Sequence, residues 1–373
     1  MSKNRLFNFY YNWWKNIDKL IFILVLFLFL LGLFFSLVST SIIASDKLNT
    51  NSYYFFLKHM VFVLLSFGII IFFSFLNKSS LINISVILFL MSLFILFLVP
   101  FIGTEIKGSK RWIDLFFFPR FQPIELLKPF FVVSLGFILS FQKIKKLYFK
   151  FFLSFFVVLP VIVLLIFQPD IGQTILVTMT WLSLIFISGF NLLLFFSFFT
   201  VIALIFGYLV TFVPKFSYIK IRVLSFFDPS SANNYQSERA SEAIINGGLF
   251  GRGIGEGTLN SKVPEAHTDY IISVISEEFG ILVIIFIMIA FLFLSFIIIR
   301  KIDEEIEQRD KIILLGCTTL ILLQAFIHIG VNIRILPTTG MTLPFLSYGG
   351  SSIISTAILS GIILNITKRK IKY

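Results

Sequence analysis

Apolar residues run along this chain in long blocks, not in alternation. Ten blocks can be marked, at about 20–44, 54–76, 81–100, 123–141, 151–167, 171–188, 191–213, 270–299, 312–333 and 351–367. Most reach the ~20 residues a helix needs to cross ~30 Å of hydrocarbon. The blocks starting at 123 and 151 are shorter or interrupted. The ~10-residue alternating segments of a membrane barrel are absent. The pattern predicts an all-α polytopic membrane protein, a bundle of about ten transmembrane helices. Its largest connection, residues 214–269, is predicted to be an extracytoplasmic loop between spans 7 and 8. Residues 1–19 and 368–373 read as tails flanking a single membrane domain over 20–367. The first block is too long for a cleavable signal, and no small-residue cleavage site follows it.

Composition agrees: 58% of the residues are hydrophobic, above the 45–50% or so of soluble domains. The 51 Phe, with abundant Ile, Lys and Asn, read as coding bias. The net charge of +12 changes meaning once it is mapped. With the N-terminus inside, the cytoplasmic segments hold 17 of the 31 basic and six of the 19 acidic residues, +11, leaving 14 and 13, or +1, elsewhere. This positive-inside distribution with an even number of spans places both termini in the cytoplasm, in the inner (cytoplasmic) membrane. It argues against nucleic acid as a partner. The basic runs 143–150 and 368–372 are topology signals that can also meet anionic lipid. Cys317 stands alone, and His59, His267 and His328 show no zinc spacing.

Four segments on the far side are too polar to be plain turns: 103–128, 168–172, 214–269 and 336–352. The first contains Arg111-Trp112 and then Gln122-Pro123-Ile124-Glu125-Leu126-Leu127-Lys128. Pro123 suits a first helical turn, which puts Glu125 and Lys128 on one face at membrane depth. They are either a self-neutralising pair or, with Arg111, groups that face an anion. In the second, Asp170 reads as a helix cap after Pro169. The third carries Tyr235, Arg239 and a glycine run, Gly247 to Gly257, which is either a phosphate cradle or a set of tight turns. It continues as Pro264-Glu265-Ala266-His267-Thr268-Asp269. Asp269, just before an apolar block, reads as an N-cap, a catalytic carboxylate, or both. Glu277 and Glu278 follow inside the eighth span and read as structural, partnered by Lys or Arg of other spans. The fourth, with two prolines, three glycines and Ser347, Ser351 and Ser352, reads as a re-entrant or broken helix.

Taken in order, these four segments resemble the SEDS family (shape, elongation, division and sporulation proteins), over nearly the whole chain from Trp13 to Ile366. The 264–269 motif, Glu277-Glu278-Phe279-Gly280, Gly340-Met341-Thr342-Leu343-Pro344 and Trp13-Trp14 resemble its division branch more than its elongation branch. The resemblance implies a ten-span peptidoglycan glycosyltransferase of the bacterial inner membrane, acting at the division septum. Its substrate would be lipid II, a disaccharide pentapeptide on undecaprenyl pyrophosphate. The family's essential aspartate falls on Asp269, expected as general base on the acceptor 4-hydroxyl. Its basic residue at the start of the fourth span falls on Lys128, and its Arg-Trp pair on Arg111 and Trp112. Substrate-binding residues expected around them are Gln122, Glu125, Arg239, Glu265, His267, Thr268, Ser347 and Ser351. Attack on the α-linked donor inverts the anomeric carbon. The leaving pyrophosphate needs Lys128, Arg111 or a divalent cation, magnesium or manganese. No cofactor is otherwise expected. A class B penicillin-binding transpeptidase and other division proteins are the implied partners. One departure stands out: division members often carry a lysine where this chain has Thr339. A lipid II flippase and an elongation-type polymerase are the alternatives.

Overall fold

The computed structural model describes residues 11–40, 53–106, 109–115, 118–142, 146–227, 235–259 and 262–368. Gly108, Asp228, Pro229, the first ten residues, and the basic positions 143, 145, 369, 370 and 372 lie outside them.

All ten predicted spans are helical. Among the described residues, eight helices are long and apolar enough to cross a membrane, and two shorter apolar ones, Ile171–Ile187 and Gly350–Ile366, stand beside them. In chain order they are α1 (Lys19–Phe35, continued by a π-helical turn to Thr40), α2 (Tyr54–Phe75), α3 (Lys78–Ile102), α4 (Pro123–Ser140), α5 (Leu147–Phe167), α6 (Ile171–Ile187) and α7 (Leu192–Phe212). Two helices, α8 (Ser217–Phe227) and α9 (Tyr235–Gly247), lie in the large loop. The bundle then resumes with α10 (Ile271–Phe279), α11 (Ile281–Glu304), α12 (Gln308–Asn332) and α13 (Gly350–Ile366). The expected eighth span is thus two helices, separated at Gly280, whose φ of +81° only glycine adopts freely. The segment between α3 and α4 forms strands β1 (Thr104–Ile106), β2 (Ser109–Leu115) and β3 (Phe118–Phe121), an antiparallel sheet of three. Hydropathy blocks do not reveal strands this short.

Helices α4 and α12 are mostly buried inside the bundle, whereas none of the described side chains of α7 is buried. Apolar content alone does not distinguish them, because lipid accepts the same side chains as a protein core. Small and polar residues mark the inner helices. In α4, Gly136 sits so close to Ile313 of α12 that an added Cβ would lie 2.4 Å from its side chain. In α13, the Asn365 amide donates to the carbonyls of Phe73 (2.8 Å) and Ser74 (3.3 Å) and to that of Leu76 (2.6 Å). This ties α13 to the end of α2, where main-chain acceptors would otherwise be orphaned.

Among the described residues, the connections after spans 3, 5, 7 and 9 line one cavity. Ion pairs join other helix ends: Lys78 of α3 with Asp310 of α12 (2.5 Å), and Lys301 of α11 with Asp18 before α1 (3.5 Å).

The 333–349 segment is non-helical, and its 343–347 stretch is buried. Leu343, Phe345 and Leu346 are within the core, and the Phe345 ring packs on Phe29 at 5.1 Å and on Phe291 at 5.9 Å. This is the re-entrant geometry predicted, tolerated because protein rather than lipid surrounds the backbone. Its closest approach is to Gly32 of α1, where a Cβ would stand 2.4 Å from the Phe345 carbonyl oxygen. Gly32→Ala should therefore displace the segment or destabilise the bundle by about 1–3 kcal/mol, an overpacking cost read by thermal unfolding in detergent.

Candidate active site

The odd-span connections enclose a cavity of about 760 Å³. Its walls come from β2 and β3, the 169–173 turn, the 265–270 turn, the 338–342 stretch and the start of α13, with Gln236 of α9.

The 265–270 turn is built around one carbonyl. The Glu265 oxygen accepts from the amides of Thr268 (3.1 Å), Asp269 (3.2 Å) and Tyr270 (3.3 Å). Glu265 itself takes a left-handed φ of +52°. That conformation is costly for a non-glycine residue and persists where the surroundings enforce it. They do so here. Asn332 donates to the Asp269 carbonyl at 3.1 Å, and its own Oδ1 accepts from the Ser273 hydroxyl at 2.8 Å. The Ser347 hydroxyl donates to the Thr268 carbonyl at 2.8 Å, and the Tyr348 amide to the His267 carbonyl at 3.0 Å. The turn thus presents Glu265, Thr268 and Asp269 to the cavity.

Asp269 stands one residue before the N-cap position. The N-cap position of α10 is Tyr270, with no side-chain cap. The Asp269 carboxylate lies against Gly340, whose added Cβ would be 3.5 Å from Oδ2. Gly340 has a φ of +70°, so a side chain there would be strained as well as crowd this oxygen.

A charged network backs the opposite wall. Arg111 donates from Nε to the Gln168 carbonyl at 3.1 Å and from Nη2 to the Pro169 carbonyl, and its Nη1 is 3.8 Å from Asp170. Asp170 caps α6 through the Gln173 amide (3.3 Å), as expected, and also accepts from the Gln122 side chain at 2.9 Å. Burial pushes the Asp170 carboxyl up, opposed by the Arg111 guanidinium. From there Gln173 donates to Glu125 at 2.7 Å, Lys128 donates to Glu125 at 2.8 Å and to Gln324 at 2.9 Å, and Gln324 donates to the Thr342 carbonyl at 3.0 Å. Two cations and two carboxylates balance inside the protein.

Eight of the twelve predicted site residues line the cavity: Arg111, Trp112, Gln122, Glu125, Glu265, Thr268, Asp269 and Ser351. Lys128 does not; it is fully buried behind Glu125, so of its two readings the structure takes the self-neutralising pair. Arg111 is on the wall, held by its Nε and Nη2 bonds to the 168–169 carbonyls, with Nη1 3.8 Å from Asp170. Arg239 projects outward from α9, paired with Glu242 at 2.6 Å. His267 packs on the rings of Phe55 (5.0 Å) and Tyr348 (5.8 Å). Ser347 is buried, holding the Leu343 amide at 2.8 Å. Glu277 is met by amides where Lys or Arg was expected. Its Oε1 accepts from the Asn246 side chain at 2.8 Å and the Leu259 amide at 2.9 Å. The glycine run is no phosphate cradle. The amides of Arg252 and Gly253 bond the carbonyls of Glu277 and Glu278 at 2.8 and 3.0 Å, and a Cβ on Gly247 or Gly251 would lie 2.0 or 2.1 Å from backbone oxygens.

The cation missed in the sequence is Arg120 on β3. It lines the cavity, is about half exposed, and pairs at the rim with Asp114 at 2.9 Å. Only the β2–β3 pairing brings it to the cavity, and no sequence motif marks it. A rim pair of this exposure is weak and can be exchanged for a ligand anion. Tyr348, its hydroxyl pushed up to about 12 by burial, and the Thr338–Thr342 stretch add further polar wall. Among the described residues, no group of three or more His, Cys, Asp or Glu is gathered that could hold a metal ion.

This architecture and site are those of a polytopic membrane protein whose loops build a polar chamber over a helical bundle. The chain belongs to the FtsW/RodA/SpoVE family: the family model, described as a cell cycle protein, matches residues 18–372. A relative from Caulobacter vibrioides, named probable peptidoglycan glycosyltransferase FtsW, is 30% identical over 368 residues, covering 96% of this chain and 91% of the relative. One of the same name from Haemophilus influenzae is 34% identical over 364 residues, covering 94% and 90%. Among solved structures, a chain described under structural coordination of polymerization and crosslinking by a peptidoglycan synthase complex superposes with a TM-score of 0.79 at 25% identity, over 94% of this chain and 97% of that one. RodA of Thermus thermophilus shares the fold, with a TM-score of 0.69 at 23% identity over 94% and 96%.

Proposed function

We propose that this chain is a peptidoglycan glycosyltransferase that polymerises lipid II during septal wall synthesis, with the cavity on the extracytoplasmic side of the inner membrane. The observation that carries this reading is the Asp269 carboxylate, presented at the wall of a polar cavity by the 265–270 turn. In the proposed reaction Asp269 takes the proton of the acceptor 4-hydroxyl as its oxygen bonds the donor anomeric carbon. The bond to the pyrophosphate oxygen breaks, with inversion, and undecaprenyl pyrophosphate departs with the electron pair. Its charge needs no general acid, only electrostatic stabilisation. Arg120 is the wall cation best placed to supply it, since Arg111 and Lys128 are engaged within the protein. A class B transpeptidase is the proposed partner.

The test is glycan synthesis from labelled lipid II by the purified, detergent-solubilised protein, with and without its cognate transpeptidase and with magnesium or manganese varied. Strands longer than the starting disaccharide are expected. Their absence under all these conditions, with lipid II transport in vesicles intact, would favour the flippase instead. Arg120→Ala should weaken polymerisation about 10²-fold, the scale of losing one preorganised donor to a developing anion. Lys substitution should recover part of it.

A further inference from the structure

At the end of the bundle opposite the catalytic cavity lies another cavity, of about 650 Å³. It is bounded by the end of the helix at 11–16, the first turn of α1 and the last turns of α11. Four cations line it, Lys15, Lys19, Arg300 and Lys301, against two acids, Asp18 and Glu304.

The acids are already committed. Asp18 caps α1 through the amides of Leu20 (3.1 Å) and Ile21 (3.2 Å) and lies 3.5 Å from Lys301. Glu304 pairs with the same lysine at 2.9 Å. Lys15, Lys19 and Arg300 therefore have no carboxylate partner among the described residues. Two of them rest on aromatic faces instead: Lys19 is 5.7 Å from the Trp14 ring and Arg300 is 5.6 Å from the Phe296 ring. The apolar side chains lining the cavity are Ile17, Leu20 and Ile297. There α1 and α11 pack along a seam, and both helices carry exposed apolar side chains, Leu20 and Ile23 on α1 and Phe293 and Phe296 on α11. Where α1 and α11 converge, Phe27 meets Phe286 edge to face at 6.1 Å. Trp13 fixes the neighbouring helix, donating to Ser74 at 2.9 Å and stacking on Phe75 at 5.1 Å.

We propose that this cavity binds the phosphodiester headgroup of an anionic diacyl phospholipid, with the acyl chains lying along the α1–α11 seam. The uncompensated cations supply the charge complement. The apolar lining of the cavity, beside exposed apolar side chains on both helices, favours a lipid over a soluble phosphate ester. A basic side chain near an anionic membrane surface contributes about 1 kcal/mol, roughly fivefold per residue.

The test uses the purified full chain, native mass spectrometry, and titration with phosphatidylglycerol or phosphatidylcholine. One phosphatidylglycerol is expected to be retained preferentially. Lys15→Gln, Lys19→Gln and Arg300→Gln should each weaken retention roughly fivefold, and the triple variant roughly 100-fold. All three residues are exposed, so the single variants decide the matter even if the triple fails to fold. Equal retention of both lipids, or an unchanged preference in the variants, would overturn the proposal. So would competition by free glycerol phosphate at the same concentrations, which would assign the cavity to a soluble anion.

Discussion

Replacing Asp269 by asparagine is expected to reduce lipid II polymerisation by about 10²–10⁴-fold, the usual contribution of a positioned general base. Asparagine keeps the size and hydrogen-bonding reach of the side chain but cannot take a proton. The fold should tolerate the change. The turn is held through main-chain atoms, the carbonyls of Glu265, Thr268 and Asp269, and through Asn332 and Ser347. The N-cap position of α10 is Tyr270, which the exchange leaves unchanged. The measurement is glycan chain formation by purified protein, with thermal unfolding in detergent as the control for folding. An Asp269→Asn protein that polymerises at the wild-type rate would remove this residue from the chemistry. Loss of both activity and folding would instead point to a structural carboxylate.

Lys128→Met should have the largest effect on stability, about 3–5 kcal/mol, because it strands a carboxylate inside the bundle. Lys128 is wholly inaccessible and Glu125 nearly so. The lysine ammonium reaches Glu125 and Gln324 at 2.8 and 2.9 Å. Methionine fills the space but leaves Glu125 only the Gln173 amide. The double variant Glu125→Gln with Lys128→Met should recover most of the loss, since removing both charges abolishes the uncompensated one. It also separates two roles. If the pair is only internal support, the recovered protein should polymerise lipid II. If Lys128 reached the leaving pyrophosphate during catalysis, it should fold yet stay inactive. A single variant that unfolds no more readily than wild type would show that the pair is not needed for stability.

Long features of this protein were legible in the sequence, and short spatial ones were not. The ten spans followed from block hydrophobicity, because an isolated helix in lipid must satisfy its own backbone. The four polar segments expected on one side do line one cavity, because each crossing reverses direction. The re-entrant 336–352 stretch was recognisable from its prolines and glycines. The broken eighth span was not, since one Gly within an apolar run carries no visible penalty until its φ is known.

Within the site, the sequence marked the turn that bears Asp269 and the polar wall that includes Arg111, Gln122 and Glu125. It left Asp269 divided between cap and base, and Lys128 divided between pair and anion ligand. Those choices depend on which neighbour lies within about 3 Å, something that residue spacing along one helix does not encode. Tertiary structure put Tyr270 at the N-cap position, and it set Gln324 of a distant helix beside Lys128. It also brought Arg120 to the cavity through a strand pairing too short to register as a pattern, and turned Arg239 outward. Membrane topology is decided locally, by the free energy of moving each segment into lipid. The direction of a charged side chain is decided by what packs across from it.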